Sequence, residues 1–140
     1  MKAQYVQIGT GSYLGNFAGP LRTSAVNRYF YSRFAYIFPK SELGNFRHGD
    51  TIESLEFFRT DGPAFDTSSN LKMWITTTSR SDFGKNKVSF LSEIANAQQI
   101  YNQNPKKHIG TTESFYKLPF SKKFLYDSTK GENLVLMVEF

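Results

Sequence analysis

Hydrophobic and polar positions alternate along most of this chain with the period of a β-strand. The clearest case lies in 70–83, where Leu71, Met73 and Ile75 fall on one face and Lys72, Thr76 and Thr78 on the other. This is the pattern of a half-buried strand. Trp74 belongs to the face opposite Met73 and Ile75, where it either covers a second sheet surface or stands open to a ligand. Within 28–38 the alternation is clean from Phe34, which joins Tyr36 and Phe38, and Pro39 ends the run because proline cannot donate to a ladder. A strand is predicted over 51–59 with Ile52, Leu55 and Phe57 inward; the change of step after Ile52 predicts a bulge. Tyr116, Leu118 and Phe120 share a face in 113–119, and 124–126 reads as a short edge piece. The closing run Asn133-Leu134-Val135-Leu136-Met137-Val138 follows Lys130-Gly131 and is nearly continuous in apolar residues, which suits a strand covered on both faces.

Between these strands lie turn-rich stretches. Residues 10–20 carry Gly11, Gly15 and Gly19 and read as a loop; their spacing is not a dinucleotide fingerprint. Residues 61–70 form a polar loop, and Pro105 and Gly110 break 102–112. Segment 81–103 has two readings. Phe90, Ile94, Ala97 and Tyr101 fall at helical spacing. The other reading, a loop with a helical turn and then a short strand over 97–101, comes from a resemblance described next. Short strands separated by turn signals, with at most one short helix, predict an all-β, antiparallel sandwich in a single domain spanning 1–140.

Ile8-Gly9-Thr10-Gly11, then Trp74, Phe83, Pro119-Phe120 and Asn133-Leu134-Val135 occur in an order that resembles a β-sandwich module of secreted and cell-surface, adhesin-like proteins of Bacteroidetes, including the gliding flavobacteria. The Lys-rich turn after Phe120 and the segment 85–110 depart from that pattern. The resemblance implies a jelly-roll arrangement rather than an immunoglobulin-like one, an exported protein at the cell surface, and carbohydrate or surface-protein binding. Ala3-Gln4 before the first strand reads as the junction left by a removed export signal, with residues 1–4 its remnant or an added start. Phe140 closes a strand, so the chain is expected to be one module of a longer protein.

Composition narrows the chemistry. The chain has 140 residues, no Cys, 14 Phe, 8 Tyr and a single Trp. No thiolate metal site, disulfide or cysteine nucleophile can exist. A net charge of +5 from 17 basic and 12 acidic residues is scattered, with no like-charge run typical of an interaction tail. His48 and His108 lack metal or triad spacing and read as loop residues. No carboxylate pair suits glycoside hydrolysis. No cofactor is implied. A structural calcium is the candidate ion, with Asp50, Asp61, Asp66 and Asn70 as its ligands; the same residues also suit Asx turns that need no ion.

The candidate ligand site is Tyr13, Arg28, Tyr29, Tyr31 and Arg33. Tyrosine rings stack on sugar faces, and neighbouring arginines take acidic sugars, phosphate or a protein carboxylate. Arginines lying over an aromatic edge strand are the structural alternative. The expectation is a non-enzymatic binding or adhesion module for a glycan or a surface protein, with no nucleic-acid partner and no membrane insertion. An architectural spacer of a large surface protein is the alternative. An enzyme accessory domain and a single-strand nucleic-acid binder stand behind both.

Overall fold

A computed structural model describes residues 5–8, 31–59, 68, 70–110 and 113–140. Its strands are β1 (Arg33–Phe38), β2 (Thr51–Arg59), β3 (Leu71–Thr78), β4 (Gln98–Gln103), β5 (Ser114–Leu125) and β6 (Asn133–Glu139), with one helix, α1 (Phe90–Ile94). They form a four-stranded sheet in the order β1-β6-β3-β4 and a two-stranded sheet of β2 and β5, every pairing antiparallel. The chain is therefore all-β and sandwich-like, the class its alternation predicts. The segment 81–103 resolves into a helical turn followed by a strand.

β6 is the axis of the larger sheet. Leu134 to Val138 are all buried, because β1 and β3 flank the strand and both of its faces are covered. Leu134, Leu136 and Val138 face the space between the sheets. There they join Leu71, Met73 and Ile75 of β3, the stacked rings Phe34, Tyr36 and Phe38 of β1, and Ile52, Leu55, Phe57, Tyr116 and Leu118 from the smaller sheet. Val135 and Met137 point the other way. They lie with Ala35, Ile37 and Trp74 under a cover of Phe90, Ile94 and Phe83. Trp74 meets Phe90 edge to face at 5.9 Å, so the lone tryptophan packs against the second sheet surface.

β5 departs from expectation. It does not stop at Pro119 and resume at Phe124, but runs unbroken over 12 residues. Ile52 pairs with Phe124 while Ser54 pairs with Pro119, so Glu53 of β2 faces a stretch of β5 four residues long. This is the bulge that the step after Ile52 predicts, but most of its extra length sits on β5. The displaced residues reach β4: Ser121 Oγ donates to the Ile100 carbonyl at 3.1 Å, and Gln98 Nε2 donates to the carbonyls of Lys122 and Lys123. The bulge thus ties the two sheets together along one side.

Candidate functional site

The register of the larger sheet builds a cluster at one end of its outer face. Arg33 is opposite Glu139, and Glu139 is opposite Lys72, so three charged side chains stand in one row across β1, β6 and β3. Arg33 donates to Glu139 Oε2 from Nε at 3.0 Å and from Nη2 at 3.0 Å; Lys72 Nζ binds Oε1 at 2.9 Å. The Tyr31 hydroxyl donates to Oε2 at 2.6 Å. Burial pushes the Glu139 carboxyl up, but the hydrogen bonds from Tyr31, Lys72 and Arg33 outweigh it and hold the group down at about 2. The same contact, with burial as the larger cause, raises the Tyr31 phenol.

Arg33 also lies between two rings. Its guanidinium carbon is 5.0 Å from the centre of Tyr31 and 4.9 Å from that of Phe90, within the range of cation–π attraction. Beside this stack runs a groove of about 480 Å³, floored by Arg33, Phe34 and Ala35 and walled by residues 88–91. Val88 and Leu91 are exposed on that wall, and Tyr31, whose ring lies against Arg33, is exposed as well. The wall is held in place by Arg80, whose Nη1 and Nη2 grip Glu93 of α1 at 2.9 and 2.6 Å.

Of the expected ligand residues, Tyr31 and Arg33 therefore come together, while Tyr13, Arg28 and Tyr29 lie outside the described residues. Sequence reasoning missed Glu139, Lys72, Phe90 and Leu91. Alternation places Glu139 and Lys72 on definite faces, but only the strand order sets them beside Arg33.

Of the expected calcium ligands, Asp61 and Asp66 lie outside the described residues. Asp50 accepts the Arg47 amide at 2.8 Å and so closes its own turn before β2. Asn70 is exposed immediately before β3. Among the described residues, no three His, Asp or Glu side chains gather as a metal site. His48 lies 3.5 Å from Asp127, and His108 Nδ1 is 2.7 Å from the Tyr101 hydroxyl, each in a loop contact. Among the described residues no helix is long and apolar enough to cross a membrane. No family model, no curated protein and no solved structure matches this chain.

Proposed function

We propose that this chain is a non-enzymatic binding or adhesion module, exported to the cell surface, that takes a glycan or a segment of another surface protein in the groove between β1 and residues 88–91. The observation that carries this reading is the Arg33 guanidinium, which lines the groove and lies against the rings of both Tyr31 and Phe90. A ring flanked by a fixed cation offers an apolar face and a directed donor together, the combination that sugar acids and protein carboxylates require. The adhesin-like resemblance read from the sequence points to the same class.

A second reading has an observation of its own. Glu139 already occupies Arg33, Lys72 and Tyr31, which suits an architectural domain whose cluster only fastens strand ends. Glycan-array and polysaccharide pull-down screens of the whole chain, with a Tyr31→Ala/Leu91→Ala variant beside it, separate the two. Retention by the parent chain and loss in a variant that melts normally supports the binding module. A folded parent chain that retains nothing favours the architectural domain.

A further inference from the structure

The outer face of the β2–β5 ribbon carries a second pattern, on the opposite side of the molecule's core from the groove. Phe58 and Phe115 are register partners, their rings 5.1 Å apart and edge to face, yet they are 49% and 55% exposed. Core-facing neighbours Phe57 and Tyr116 satisfy the fold from the other side of the same two strands. One row along, Glu56 stands opposite Lys117. Across the bulge, Glu53 forms an ion pair with Lys123. Exposed Leu125 lies opposite Thr51 at the far end. Acids thus occupy β2 and bases occupy β5 in both charged rows, with apolar groups beyond them at each end.

This arrangement is its own complement. A two-fold axis parallel to the strands, between β2 and β5, lays β2 of one copy over β5 of the other. Every row then meets itself: Phe58 covers the partner's Phe115, Glu56 faces the partner's Lys117, and Glu53 faces the partner's Lys123. An axis across the strands instead sets Glu56 over the partner's Glu53, so charge selects the first geometry. From this charge complementarity and the exposed aromatic pair, we infer that the outer face of β2 and β5 docks a second copy of this chain in an isologous dimer. A two-stranded face is smaller than the roughly 800 Å² per partner of a standard interface, so the dimer is weak and populated at micromolar to higher concentration.

Sedimentation equilibrium over that concentration range tests it. The parent chain should show a monomer–dimer equilibrium that weakens with added salt, as exposed charge contacts do. A Glu53→Lys/Glu56→Lys variant and a Lys117→Glu/Lys123→Glu variant should each be monomeric, and an equimolar mixture of the two should dimerise again. Should the variants fold poorly, zero-length cross-linking of labelled with unlabelled parent chain should join Glu56 of one copy to Lys117 of the other. A parent chain monomeric throughout would overturn the inference. So would cross-links confined to other faces, or charge variants that dimerise as tightly as the parent.

Discussion

Arg33 on β1 and Glu139 on β6 are register partners whose side chains meet at 3.0 Å, so the first and last of the described strands are fastened by an ion pair. The backbone repeats the link, since Ser32 and Phe140 exchange both amide–carbonyl hydrogen bonds at 2.7 and 2.9 Å. That pairing also fixes Arg33 where it lines the groove, because the carboxylate holds both Nε and Nη2.

Replacing Glu139 by Gln should therefore destabilise the fold in a pH-dependent way. Its folded carboxyl sits at about 2, below the ordinary 4.5, so its contribution is full above the ordinary value and is lost as pH falls toward 2. The shift alone would set an upper bound of about 3 kcal/mol. Arg33 and Lys72 are each 39% exposed, and screening reduces the expected cost to about 1–2 kcal/mol at neutral pH. Urea denaturation at pH 6 and pH 3 should show the parent losing its advantage over Glu139→Gln at the lower pH.

Gly131 should tolerate no side chain. Its φ of +137° is strained for other residues, and an added Cβ would lie 2.0 Å from the Thr78 carbonyl carbon. Gly131→Ala should cost at least about 2 kcal/mol, read as a lower denaturation midpoint with an unchanged slope.

His108 should make the fold acid-sensitive. Burial, and then the neighbouring Lys107, lower its pKa below the ordinary 6.5. His108 Nδ1 and the Tyr101 hydroxyl share a hydrogen bond at 2.7 Å. Its contribution is thus complete above pH 6.5 and declines as pH falls through the lowered folded value. Melting temperature followed from pH 7.5 to 5 should fall more steeply in the parent than in His108→Asn.

Phe90 holds the groove wall. It is buried against Val135 and Met137, meets Trp74 edge to face and supports the Arg33 guanidinium. Phe90→Ala should cost about 3 kcal/mol. It should also shift the emission of the single tryptophan to the red while the strand signal in circular dichroism persists.

How much of this was legible beforehand depended on the range of the interaction. Alternation at Leu71, Met73 and Ile75 places those side chains in the core, and the step from Ile52 to Leu55 locates a bulge, because each reports a single strand's own faces. The continuity of β5 was hidden: Ser121, Lys122 and Lys123 break the alternation and resemble a turn, whereas they are the bulge that reaches β4. Trp74 could be placed on a face, but what covers it depended on Phe90, 16 positions on in the sequence. The Arg33–Glu139–Lys72 row is least legible of all, since it joins strands from three distant parts of the chain and exists only through the order β1-β6-β3.

The most direct test of the binding reading is one titration. A glycan or surface-protein ligand retained by the parent chain is titrated against the parent and against Arg33→Ala, with folding of both confirmed by melting. Arg33 supplies the cation in the Tyr31–Phe90 stack, so the variant should lose roughly tenfold or more in affinity, about 1.4 kcal/mol or above. Equal affinity in a folded Arg33→Ala chain would contradict the assignment of the groove as the binding site.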